Sequence, residues 1–201
     1  MSINSYNYYL RKTINEVWAY AHSVFSPEEC KKIIQLVIDS KKYSLELGEV
    51  GDEGETDTLK DRNSRVLFLP SNDDDFLWVF ERAASVVDSL NNQFFNFNVD
   101  VIESLQFSEY DGKEKGFYAK HRDEFYFSGA HRKLSFSIQL SAIEDYVGGE
   151  LLLHHKDPPD IGIKDQGSIT IFPSYVLHEV TPVTEGIRYS LVGWVLGQKF
   201  V

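Results

Sequence analysis

At "VDVIESLQFSEY", residues 99–110, the sequence changes period. Before it, apolar residues recur at helical spacing. From it onward come short runs rich in Val, Ile, Leu and Phe, separated by Gly, Pro and Asp turns: "KLSFSIQLS" (133–141), "GELLLHH" (149–155), "GSITIFP" (167–173) and "RYSLVGWVLG" (188–197). Runs of this length and composition are strand signals. Upstream, "FSPEECKKIIQLVID" (25–39) opens as a helix. Ser26 stands at the N-cap, Pro27 at the first helical position and Glu29 three residues after Ser26, which is a capping box. Cys30, Ile33, Ile34 and Val37 mark its apolar face. "DDDFLWVFERAASVVDSLNNQFF" (73–95) is a second helix with a Phe76/Val79/Phe80/Ala83 stripe, and "NSRVLFLP" (63–70) is an earlier strand. Helices followed by many strands predict an α+β fold: a two-sheet sandwich or jelly roll with the helices packed on one sheet. At 201 residues the chain is expected to form one domain, an N-terminal helical support over about 1–98 and a core over about 99–201.

Composition narrows the function. With 31 acidic against 20 basic side chains the formal net charge is −11, a field that repels nucleic-acid backbone and anionic lipid. No nucleic-acid or membrane partner is therefore expected. The single cysteine, Cys30, excludes an intrachain disulfide and reads as a small core residue. With no apolar h-region at the N-terminus and no run of about 18 apolar residues, the expectation is a soluble, cytoplasmic protein. "GEVGDEGETDTLKDR" (48–62) is polar, acidic and glycine-bearing, and reads as a long mobile loop, a candidate substrate lid or a disordered insertion.

Chemistry enters with "YAKHRDEF" (118–125). On a strand, side chains two apart share a face, so His121 and Asp123 offer an imidazole and a carboxylate together. Alone, the pair reads as well as a turn aspartate beside a rim histidine. "FPSYVLHEVTP" (172–182) supplies a third group, His178, past the end of an apolar run. Two His and one carboxylate form the facial triad of non-haem Fe(II) oxygenases, which leaves coordination positions open. Arg188 follows ten residues after His178, with Ser190 two further on. If "HEVTP" and "RYSLVGWV" are antiparallel neighbours, Arg188 and Ser190 face one side, where an Arg can clamp a carboxylate in two parallel hydrogen bonds. His22, His131 (on a polar loop), His154, His155 and Glu150 are expected to be structural or solvated.

Three segments in order carry a family resemblance: "EYDGKEKGFYAKHRDEF", "HRKLSFSIQLSAIEDYVGGELLLH" and "GSITIFPSYVLHEVTPVTEGIRYSLVGWV". The chain resembles an Fe(II)/2-oxoglutarate-dependent dioxygenase of the prolyl-4-hydroxylase-like superfamily, nearest to the PKHD-type hydroxylases. The resemblance implies a double-stranded β-helix core, with His121, Asp123 and His178 as iron ligands. It implies Arg188, helped by Ser190, as the partner of the far carboxylate of 2-oxoglutarate, and Tyr110 or Tyr118 as the tyrosine that contacts that co-substrate. The two tyrosines compete because the intervening loop is one residue longer than in prolyl hydroxylases. Collagen-type relatives usually carry Lys at the Arg188 position, a departure here. Arg132 and Trp194 match peptide-contacting positions. Fe(II), 2-oxoglutarate and O2 are the implied cofactors and co-substrates, with ascorbate as an accessory reductant. The implied reaction hydroxylates a substrate while 2-oxoglutarate becomes succinate and CO2. A proline-containing peptide or protein is the first substrate expectation and a free amino acid or other small molecule the second. Two rivals stay open: a silent sandwich that binds a peptide or sugar, and a cupin-like metalloenzyme without 2-oxoglutarate.

Overall fold

The computed structural model describes residues 16–48, 58–123, 126–127 and 130–198. In chain order the elements are β1 (Ala19–Ala21), α1 (Pro27–Ile38), β2 (Glu46–Leu47), α2 (Thr58–Asp61), β3 (Arg62–Asn63), β4 (Arg65–Phe68) and α3 (Asp74–Leu90). The strand-rich part follows with β5 (Val101–Asp111), β6 (Phe117–His121), β7 (Tyr126–Phe127), β8 (Ala130–Gln139), β9 (Tyr146–Gly148) and β10 (Leu151–Leu153). It ends with β11 (Asp160–Ile161), β12 (Ile169–Pro173), β13 (His178–Val180) and β14 (Val183–Gln198).

The strands form two antiparallel sheets. The larger runs β1-β12-β8-β14-β5-β4-β2, with β7 beside β8 and β9 beside β14; the smaller runs β11-β10-β13-β6-β3. This is the jelly-roll core with helices on one sheet that the sequence predicts. The first 98 residues also give β1, β2 and β4 to the larger sheet and β3 to the smaller, so they are more than a helical support.

The capping box of α1 is formed, with Ser26 Oγ accepting from the Glu29 N–H and Glu29 accepting from the Ser26 N–H. Asp73 caps α3. Both helices turn their apolar stripes onto one face of the larger sheet. Cys30, Ile33 and Val37 of α1 and Phe76, Val79 and Ala83 of α3 join Leu105, Phe107, Leu134, Phe136, Ile138, Ile169, Ile171 and Leu191 in one buried cluster. Burial, then the charge of Glu29, pushes the Cys30 thiol up to about 12, so it is an inert core residue. Gly193 lies on this face of β14, and a Cβ there would meet the Phe136 ring at 2.3 Å. The glycine makes room for the aromatic.

The opposite face of the same strands is polar. Gln106, Ser108, Ser135, Gln139, Thr170, Arg188 and Ser190 are all buried there, in register across β5, β14, β8 and β12. The smaller sheet covers them through a second cluster that includes Tyr110, Leu151, Phe172, Val176 and Val180. Among the described residues no helix is long and apolar enough to cross a membrane.

Four expectations change. Residues 58–61 are helical and Arg62–Asn63 is a strand, so the segment read as a loop over 48–62 is ordered at its end and buries Arg62; residues 49–57 lie outside the described residues. The cause is pairing of β3 with β6, a long-range contact that local polarity does not announce. His131 is on β8 and not on a loop. The strands of His178 and Arg188 are not a hairpin: β13 pairs with β6 and β10, whereas β14 pairs with β5, β8 and β9. The chain changes sheets between them, so the two residues approach one cavity from opposite layers. Finally, β6 ends at His121, and Asp123 has left the strand, its N–H donating to the Ser174 carbonyl.

Candidate metal centre

Between the sheets, His121, Asp123 and His178 present ligand atoms that all lie within 4.8 Å of one another. His121 ends β6 and His178 opens β13, directly opposite each other in register. Asp123 arrives between them because its backbone turns out of the strand onto Ser174. His121 Nε2 is 3.6 Å from Asp123 Oδ1, and His178 Nε2 is 3.5 Å from Asp123 Oδ2.

The ring orientations are fixed from behind. His121 Nδ1 lies 2.7 Å from the Ala119 carbonyl and His178 Nδ1 2.9 Å from the Val176 carbonyl. A carbonyl can only accept, so each Nδ1 carries the proton and each Nε2 points a bare lone pair at the centre, the tautomer a metal requires. Burial, reinforced by the neighbouring His178, lowers His121 to about 4, so it is neutral at physiological pH. Burial alone would raise Asp123, but the two histidines, the Ser135 hydroxyl and the nearby Trp194 indole outweigh it and keep the carboxylate charged. Two imidazoles and one buried carboxylate are a donor set that fits a divalent transition metal such as Fe(II).

The pocket around the triad is walled by both sheets, including Tyr110, Tyr118, Phe172, Arg188, Ser190 and Trp194. Tyr118 stacks on the His121 ring at 3.6 Å and 15°. Tyr110 sits at the other end, its ring 5.4 Å from the Arg188 guanidinium. Arg188 is 4% exposed, donates to Ser190 Oγ at 3.4 Å, and pairs with no carboxylate among the described residues. Its Nε is buried without a partner. A buried, unmatched guanidinium carries a desolvation cost that an anionic ligand would offset. The donor side of the pocket therefore fits a carboxylate-bearing co-substrate such as 2-oxoglutarate.

All nine residues singled out in the sequence thus fall in or beside one cavity. Arg132 is one step removed: its guanidinium is bidentate to Glu103 (2.6 and 2.8 Å) and stacks 4.2 Å over the ring of Trp194, which lines the pocket. The other histidines have structural partners: His22 with Ser168 and Asp165, His154 with Glu179, and His155 with Asp160. Glu150 is held by Thr181 and Lys164.

Sequence reading missed Arg62 and Gln106. Arg62 stacks on Tyr118 at 4.6 Å, is held by Ser64 Oγ at 2.7 Å, and has a buried Nη2 without a partner. Nothing in its acidic surroundings signals burial. Gln106 had a signal: Gln106, Ser108 and Tyr110 recur at spacing two along a strand, alternating with the apolar Leu105 and Phe107.

Residues 105–196 match the sequence profile of the 2OG-Fe(II) oxygenase superfamily. A PKHD-type hydroxylase of Idiomarina loihiensis is 37% identical over 79 residues, covering 39% of this chain and 36% of the relative. One from Acaryochloris marina is 39% identical over 94 residues, covering 47% and 42%. The matches thus span less than half the length of these relatives. Among solved structures, a Pseudomonas putida prolyl-4-hydroxylase superposes with a TM-score of 0.69 at 17% identity, covering 92% of this chain and 94% of that one. A Trichoplax adhaerens prolyl hydroxylase, in complex with a hypoxia inducible factor oxygen degradation domain peptide fragment, gives 0.74 at 15% identity over 90% and 84%. At such identities the structural likeness establishes the shared fold.

Proposed function

With residues 105–196 taken as a 2OG-Fe(II) oxygenase superfamily domain, we propose that the protein is an Fe(II)- and 2-oxoglutarate-dependent hydroxylase acting on a proline-containing peptide or protein. The observation that carries this reading is the pairing, in one buried pocket, of two Nε2 lone pairs and a carboxylate with an unmatched Arg188. The whole chain acts as one catalytic unit, with α1 and α3 supporting the sheet that holds the site.

His121, Asp123 and His178 would hold Fe(II). When bound, the iron supplies the oxidising power by which O2, 2-oxoglutarate and a substrate C–H become succinate, CO2 and a C–OH. The protein's part is geometric and electrostatic. The Ala119 and Val176 carbonyls hold both imidazoles in the ligating tautomer. Arg188 and Ser190 receive the far carboxylate of the co-substrate in a dry site, where a charge-assisted hydrogen bond is strong. Tyr110, beside Arg188, and Tyr118, against His121, bracket the co-substrate between its two ends. Buried walls exclude water from the reacting centre.

The substrate reading draws support from a groove of about 590 Å3 that adjoins the pocket. Gln106 lines both. Arg62, Val66, Leu67 and Phe68 form much of the groove wall, and the exposed Phe68 ring lies 6.4 Å from Trp194. An aromatic ledge beside buried polar donors suits a proline ring flanked by peptide carbonyls. The peptide complex of the Trichoplax relative supports the same class.

The test is succinate release from 2-oxoglutarate by Fe(II)-loaded protein in air, with a proline-rich peptide and with none, followed by the peptide's mass. Release that rises with peptide, adds one oxygen to it and vanishes in His178→Ala supports the reading. Release that ignores every peptide turns the substrate class toward a small molecule, and no release overturns the activity.

A further inference from the structure

Two buried donors without partners, Arg188 Nε and the Tyr146 hydroxyl, line one small polar chamber that adjoins the pocket of the triad. Ser137, Leu151 and Arg188 wall both the chamber and the pocket, so the Arg188 side chain stands at their junction. Gln139, Thr170 and Lys164 complete the chamber's polar lining.

The backbone brings Tyr146 there. Tyr146 opens β9, which pairs with the start of β14 through Gly186, two residues before Arg188. Gly186 has φ +70°, and a Cβ on it would stand 1.9 Å from the Asp145 carbonyl oxygen. Gly149 has φ +62°, and a Cβ there would meet Arg188 Cδ at 2.8 Å and Tyr146 Cε2 at 3.4 Å. Both glycines adopt the left-handed conformation that other residues disfavour; Gly186 lets β14 approach the backbone of Asp145 and Tyr146, and Gly149 clears the space in which the two side chains lie together. The neighbouring Lys164 ammonium, 5.2 Å from the Tyr146 ring, is already matched by Glu150 and the Gly148 carbonyl. It adds positive potential without supplying the hydroxyl an acceptor.

A buried hydroxyl without an acceptor destabilises the free protein. That cost is recovered if a ligand supplies the acceptor. We infer that Tyr146 is a second anchor for the far carboxylate of the co-substrate, its hydroxyl and the Arg188 guanidinium donating to that carboxylate at the junction of chamber and pocket. The inference rests on the reading of Arg188 as the co-substrate anchor. It assigns to Tyr146 a part in choosing a dicarboxylate over a monocarboxylic 2-oxo acid.

The test is calorimetric titration of Fe(II)-loaded protein under argon, so that no turnover occurs, with 2-oxoglutarate and with 2-oxovalerate. The second ligand has the same five-carbon 2-oxo acid frame with a methyl in place of the far carboxylate. Tyr146→Phe should weaken 2-oxoglutarate about ten-fold, the loss expected for one hydrogen bond to a charged group, and leave 2-oxovalerate unchanged. The unchanged arm also reports that the variant is folded. A Tyr146→Phe protein that binds both ligands as wild type does, or loses both equally, overturns the inference while leaving the Arg188 reading intact. Wild-type protein that shows no preference for 2-oxoglutarate over 2-oxovalerate overturns both.

Discussion

The two faces of the larger sheet come from the same strands and do opposite work. Along β5, Leu105 and Phe107 point to the helices while Gln106 and Tyr110 line the pocket of the triad; along β14, Leu191 and Val195 oppose Arg188, Ser190 and Trp194. The apolar face gains free energy by removing area from water. The polar face spends some of that gain, since it buries a guanidinium with no carboxylate partner among the described residues. Because the side-chain period of a strand is two, a one-residue slip would exchange the faces and destroy both. Stability and chemistry are thus written on alternate residues.

Substitutions on the two faces should separate cleanly. The largest effect is expected from Phe107→Ala on the apolar face, a loss of about 3–5 kcal/mol of unfolding free energy by denaturant titration. 2-Oxoglutarate affinity of the folded fraction should hold. Arg188→Met on the polar face should do the reverse: roughly a hundred-fold weaker 2-oxoglutarate binding by calorimetry, with stability equal or higher because an unmatched buried charge is gone. A fall in stability comparable to that of Phe107→Ala would break the division between the faces. Ser135→Ala, which removes a hydroxyl favouring the charged form of Asp123, should lower metal affinity about ten-fold by competition with a chelating dye, as losses behind a ligand do. The smallest effect should come from Ser26→Ala at the cap of α1, about 1 kcal/mol of stability with no change in ligand binding.

The apolar face was the more legible of the two. Capping at Ser26 and the Cys30/Ile33/Val37 and Phe76/Val79/Ala83 stripes are local patterns, and they became the cluster they suggest. The triad was legible because histidine is scarce, at six in the chain, and two histidines with an aspartate carry specific chemistry, yet the geometry of the site was not. Asp123 converges on the histidines from outside the strand, and Arg188 reaches the pocket from the other sheet. Sheet membership depends on pairing across long sequence distances, which local propensity does not encode. Arg62 was hidden for the same reason, since only the pairing of β3 with β6 buries it. Tyr146 was hidden because its meaning lies in the absence of a partner, and absence is visible only in three dimensions.

On the proposed reading, the polar face and the smaller sheet together hold one iron. Equilibrium dialysis of the protein against Fe(II) under argon, wild type beside Asp123→Ala, tests it most directly. The expected result is one tightly held Fe(II) per wild-type chain and none in the variant, with both proteins folded. Wild-type protein that retains no iron, or Asp123→Ala protein that retains it as wild type does, would contradict it.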